Sequence, residues 1–189
     1  MDVRNLLSLS GMLLVLGSAG YYWGMGHQRD TGLGEEERRH PDYVVTGIRG
    51  LETDAAGQPL RRLEAAALRH YDRPRDEAEV DRPVLTLYES GQEAWRMTAP
   101  RAISLDQNTE VRLEGGVHAE RRLPDVPPLT FDTPTLFAFP QQERLFTNAG
   151  VTIASPRGRL ASQGLEARVK TGDIMLTENV TGNYAPASR

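Results

Sequence analysis

From residue 43 onward, apolar and polar positions alternate with a period of two, the spacing that sends successive side chains to opposite faces of a sheet. Leu165-Glu166-Ala167-Arg168-Val169-Lys170 alternates without exception, as does Val111-Arg112-Leu113-Glu114. Such stretches predict strands with one dry face and one wet face. Proline stands at 59, 74, 83, 100, 124, 127, 128, 134, 140 and 156. That spacing excludes long helices and punctuates short strands, so no helix of consequence is expected after residue 42.

The strands repeat a plan. Met97-Thr98-Ala99 leads after 20 residues to Val117, Leu129-Thr130-Phe131 after 22 to Val151, and Leu160-Ala161-Ser162 after 20 to Val180. Each unit reads as strand, polar turn, strand, then a Gly or Asn kink before a Val. The turns are Asp106-Gln107-Asn108, Pro140-Gln141-Gln142-Glu143 and Thr171-Gly172-Asp173, all of hairpin composition. Leu63 to Leu85 reads as a degenerate fourth unit. A kink recurring at one phase predicts that every strand pair bends at the same level. The expected fold is all-β, an open twisted jelly roll of two antiparallel sheets around an aliphatic interior. Its edges would be the first and last strands, about 43–48 and 174–184. A closed barrel is the competing architecture, as is an immunoglobulin-like sandwich, although that fold has no internal periodicity.

Ahead of the strands, Leu6 to Trp23 runs 18 residues without a formal charge, long enough for a helix to cross a ~30 Å hydrocarbon layer. Tyr21, Tyr22 and Trp23 form an interfacial belt at its far end, and Arg4 favours a cytoplasmic N-terminus. Gly17-Ser18-Ala19 has the small-x-small form that a signal peptidase accepts. A weak n-region and the bulky aromatics after the cut favour an uncleaved anchor instead. The organisation expected is a cytoplasmic N-terminus at 1–5, a transmembrane helix at 6–25, a polar linker at 26–42 and an outward-facing β domain at 43–186.

Composition narrows the chemistry. A formal net charge of −4 and a pI near 5.6 provide no basic stripe for nucleic acid. Cysteine is absent, which removes disulfides, thiolate metal sites and a lipid-modified anchor. The only lysine is Lys170, and no phosphate-binding Gly-rich loop exists. His27, His40, His70 and His118 have no metal-ligand spacing, so neither metal nor cofactor is expected. No Gly-x-Ser-x-Gly elbow occurs. The many carboxylates read as solvated strand faces rather than a glycosidase pair. The domain is read as non-enzymatic.

The candidate functional residues are the inward phase of the strands: Leu63, Ala65, Ala67, Met97, Ala99, Ile103, Leu105, Val111, Leu113, Val117, Phe131, Phe137, Phe139, Val151, Ile153, Leu165, Ala167, Val169, Ile174 and Leu176. Arg101 falls on the same phase. Alternation alone does not separate a packed core from an open groove. The stretch Ile174 to Val180 carries no Lys, Arg or Pro to block edge pairing, and Tyr43-Val44-Val45-Thr46-Gly47-Ile48 is similarly bare.

The anchor, the polar linker, the opening hairpin across Thr53 to Pro59, Leu63 to Tyr71, Arg82-Pro83-Val84-Leu85, Trp95 to Ala99 and the strands at Val117 and Val180 together resemble the LptC family of lipopolysaccharide export proteins. The resemblance covers nearly the whole chain, and the repeat is similar to that of LptA, which lacks an anchor. It implies a periplasmic jelly roll tethered by a single span to the bacterial inner membrane. Lipopolysaccharide acyl chains would lie on Leu63, Ala65, Met97, Ala99, Ile103, Val111, Leu113, Val117, Phe131, Phe137, Phe139, Val151, Ile153, Leu165, Ala167 and Val169. The implied partners are the transporter subunits LptB, LptF and LptG and the periplasmic LptA. The strand of Tyr43 and Val45 would join LptF, and Ile174, Met175, Leu176 and Val180 would receive LptA by strand addition. The anchor helix would pack beside LptF and LptG through Gly11, Gly17, Ser18, Ala19 and Gly20. A reading from another class is a membrane-tethered structural or glycan-binding β-sandwich that carries no lipid.

Overall fold

The computed structural model describes residues 40–124, 126–168 and 173–184. The expected anchor, the linker up to residue 39 and Val169 lie outside the described residues. Among the described residues, no helix is long and apolar enough to cross a membrane. They form fourteen strands: β1 (Tyr43–Thr53), β2 (Pro59–Tyr71), β3 (Glu77–Asp81), β4 (Val84–Glu89), β5 (Gln92–Thr98), β6 (Arg101–Leu105), β7 (Glu110–Arg121), β8 (Thr130–Phe139), β9 (Arg144–Thr147), β10 (Val151–Ser155), β11 (Gly158–Ser162), β12 (Gly164–Arg168), β13 (Asp173–Thr177) and β14 (Thr181–Tyr184). One 3₁₀ turn, Pro140–Gln142, joins β8 to β9. The hairpin expected between Thr53 and Pro59 is present. Its Asp54 carboxylate accepts the backbone N–H of Ala56 and of Gln58 at 2.8 Å each.

Every pairing is antiparallel, and the pairings fall into two layers with matching order. One layer runs β1 (43–46), β2 (67–71), β3, β6, β7 (110–114), β8 (135–139), β9, β12 and β13. The other runs β1 (48–53), β2 (59–65), β4, β5, β7 (117–121), β8 (130–133), β10, β11 and β14. The result is an all-β, jelly-roll-like double layer. Strands β1, β2, β7 and β8 pass through both layers, and the chain crosses between layers at the junctions β3–β4, β5–β6, β9–β10, β11–β12 and β13–β14.

The crossings line up. Residues with positive φ mark most of them: Gly47, Arg82, Gly115, Gly116, Gly150, Glu178 and Asn179. Successive crossings hydrogen-bond to one another, with Arg82 N–H donating to Pro100 O at 2.8 Å, Gly150 N–H to Gln163 O at 2.9 Å and Gln163 N–H to Glu178 O at 3.0 Å. At the centre, Gly115 and Gly116 bulge out of β7 opposite Pro134, which has no N–H to donate. Both glycines take φ values that carry a penalty for other residues.

Each bend also changes which alternate residues face inward. On β8 the inward residues are Phe131 and Thr133 before Pro134, but Leu136 and Ala138 after it. Two clusters confirm the phase by joining both layers: Ala65 and Ile48 of one layer with Leu68, Val80 and Ala102 of the other, and Ala99 and Val117 with Leu136. The stretch read as one last strand, 174–184, is two. Glu178 and Asn179 break it with positive φ, so β13 and β14 end different layers and Val180 sits between them.

Candidate functional site

The interior is lined by rows of cross-strand neighbours. Nearest the bends, one layer contributes Leu68, Val80, Ala102, Leu113 and Leu136 in direct register, with Thr147 and Leu165 further on. The facing layer contributes Ala65, Ala99, Val117 and Val151. This row is almost entirely sealed, with Val117 and Leu136 each 1% exposed. One step further out, cover is mixed. Ala119 and Ser104 are buried there, while Leu63, Leu85, Met97, Phe131 and Ile153 in one layer, and Ala78, Val111, Ala138, Leu145 and Ala167 in the other, are half-buried although they face inward. Most apolar side chains of this second row thus face inward without being fully covered.

Twelve of the groove candidates occupy these rows: Leu63, Ala65, Met97, Ala99, Val111, Leu113, Val117, Phe131, Val151, Ile153, Leu165 and Ala167. Three do not. Ile103 pairs with Arg112 and Glu79, on the outward phase although it is 5% exposed, and Phe137 pairs with Arg112 and Phe146 in the same row. Phe139 belongs to the same outer phase, beneath the Arg144 guanidinium at 4.4 Å from its ring centre. Ala67, Leu105 and Arg101 share the outward phase, and Arg101 donates to Glu79 at 2.6 Å. The cause is the change of phase at Ala99-Pro100 and at Pro134, which a straight period-two reading carries past the bend. The same shift hid Leu68, Val80, Ala102, Leu136 and Leu145; Pro100 and Pro134 signalled it for Ala102 and Leu136, whereas β2 changes phase before Leu68 with no proline or glycine to mark it.

The two ends of the double layer are open. Among the described residues, strand β1 pairs only with β2, β13 only with β12, and β14 only with β11. Apolar side chains crowd these edges: Val44, Val45 and Leu51 on β1, Ile174 and Met175 on β13, Val180, and Tyr184 on β14 are all exposed. Of the edge candidates, Tyr43, Val45, Ile174 and Leu176 also point along the inward phase, so the edges are lips of the groove. Tyr43 stacks on His70 with ring centres 4.7 Å apart. Burial raises the pKa of its phenol, and Asp76 and Asp42 add to the rise. Among the described residues, no group of His, Asp or Glu is placed to hold a metal ion.

A family model described as "Lipopolysaccharide-assembly, LptC-related" matches residues 11–185. The chain belongs to the LptC-related family. Membership places this LptC-related chain in lipopolysaccharide assembly. Among solved structures, it is similar to LptH, described as the LptA homologous periplasmic component of the lipopolysaccharide transport device from Pseudomonas aeruginosa. The two share 12% identity over 80% of this chain and 100% of that chain, with a TM-score of 0.45. No curated protein matches.

Proposed function

We propose that this chain is a membrane-anchored, non-catalytic carrier that takes lipopolysaccharide from the transporter subunits LptB, LptF and LptG and passes it to LptA. The acyl chains lie along the second interior row, and the chain's domain works in the periplasm, tethered by residues 6–25. The observation that carries the reading is the row of inward-facing apolar side chains that are only half-buried. Each methylene removed from water is worth ~0.8 kcal/mol, so a lipid with several long chains needs a continuous apolar path. Strand β1 supplies the edge for LptF, and β13 with β14 supplies the edge for LptA, through backbone hydrogen bonds left unmade at each end.

Native mass spectrometry of the full chain extracted from membranes tests the reading. It predicts an intact N-terminus and co-purifying lipopolysaccharide. A mature chain cut after Ala19, or protein consistently free of lipid, would overturn the anchor or the carrier role respectively.

A further inference from the structure

The interior rows are apolar or uncharged except at their two extremities, and those differ in sign. At the far end of one layer, His70 lies 3.3 Å from Asp42 and 3.0 Å from Asp76, a surplus of carboxylate. At the far end of the other, the inward row runs Glu52, Arg61, Leu87, Trp95 and Arg121 in direct register. That end holds two guanidinium groups and one carboxylate.

Arg61 departs from the half-buried state of its apolar neighbours Leu63, Leu87 and Trp95. It stands furthest from the bend, yet it is 4% exposed, more deeply covered than the apolar Leu63 beside it. Its Nε donates to Glu52 Oε2 at 2.7 Å. Its Nη2 lies 2.6 Å from the same oxygen but off the hydrogen-bonding direction, and has no hydrogen-bond partner among the described residues. Arg121 gives one Nη2 hydrogen bond to Pro127 O at 2.7 Å, while its buried Nε also lacks a partner. Buried donors without a hydrogen-bond acceptor are costly; Tyr88 Oη, Arg112 Nε and Arg144 Nε are others, but Arg61 and Arg121 stand in one inward row. Three strand spacings of ~4.8 Å separate the two arginines, with Trp95 between.

We propose that Arg61, Trp95 and Arg121 form a headgroup station that reads phosphate on an anionic glycolipid whose chains occupy the groove. This rests on the carrier reading above and adds a direction to it. Guanidinium groups match phosphate with paired, charge-assisted hydrogen bonds, and the indole offers a flat apolar surface to the sugar between them. The carboxylates around His70 disfavour the reverse orientation.

The test uses the full chain carrying Trp23→Phe, so that Trp95 is the one tryptophan left. Its emission is followed during titration with lipopolysaccharide, with the same lipopolysaccharide after enzymatic dephosphorylation, and with inorganic phosphate alone. The proposal expects the phosphorylated form to bind about tenfold or more tighter, the value of one charge-assisted hydrogen bond. Arg121→Gln collapses that ratio, and Arg121→Lys restores part of it, with circular dichroism confirming the fold of each. A ratio unchanged in Arg121→Gln, or equal binding of both forms by the parent, overturns the headgroup station and leaves the carrier reading standing. Failure to bind either glycolipid overturns the carrier reading itself. Saturation by inorganic phosphate at the same concentrations would make this a site for the free anion and refute the headgroup assignment.

Discussion

Thr133 and Thr147 are sealed where the layers part, and their hydroxyls replace ladder bonds that the bend interrupts. Thr133 Oγ1 donates to Gly150 O at 2.7 Å and lies 3.1 Å from Thr147 Oγ1, which accepts the Ala149 N–H at 3.2 Å. Thr133→Val keeps the shape but leaves the Gly150 carbonyl without that donor. Urea unfolding is expected to show a loss of about 1–3 kcal/mol; an unchanged midpoint would mean the hydroxyl chain is dispensable. Gly158 is constrained by close approach: a Cβ there would clash with Asn183 O, on the strand that ends its layer. Gly158→Ala should therefore release β14, seen as faster amide exchange at Thr181 to Tyr184 with the rest of the domain unchanged. At this scale the alternation marked most lining residues, but not the side on which Ile103, Phe137 and Phe139 emerge. Three of the four phenylalanines, Phe137, Phe139 and Phe146, lie outside, held by one another and by Arg144. Hydrophobicity alone pointed the first two inward.

Among the elements, strand β2 is held to β3 by Arg69 and Asp81, 2.8 Å apart, and the turn after β2 is held to that after β6 by Arg75 and Asp106. Hydrogen bonds from these guanidinium groups keep both carboxyl groups below the usual Asp range. A depressed folded pKa contributes stability above the ordinary value of about 4 and loses it as pH falls through the folded value. The melting temperature should drop between pH 5 and pH 2, with a shallower acid slope in Arg75→Gln; parallel slopes would refute the linkage. Both pairs are exposed, so high salt should weaken them. The recurring kinks were legible because glycine and asparagine announce them, as at Gly115-Gly116 and Asn148-Ala149-Gly150. Their consequence was less so: Glu178-Asn179 splits the final strand between layers, a tertiary outcome that no local propensity encodes. Met175→Pro removes one donor from edge strand β13 without touching β14. It should abolish LptA capture while retaining a native β spectrum, and normal capture would show that this edge is not the joint.

For the molecule as a whole, two layers of matching strand order hinge along one line of bends, and most apolar side chains of the second interior row are half-buried. The sequence announced a double layer with bare edges, while the identity of its half-covered inward side chains emerges only from the register of strands far apart in the chain. Cover also separates positions that look alike in sequence. Val117 is sealed at the hinge, so a carboxylate there would unfold the domain, whereas half-buried Met97 can accept Glu and should lose lipid instead. The most direct measurement places a photoreactive amino acid at Val111, on the inward phase, and separately at Phe137, on the outward phase of the neighbouring strand. Strong lipopolysaccharide crosslinking at Val111 with none at Phe137 is the predicted result. Equal labelling at both, or labelling at Phe137 alone, would contradict a lipid path between the layers.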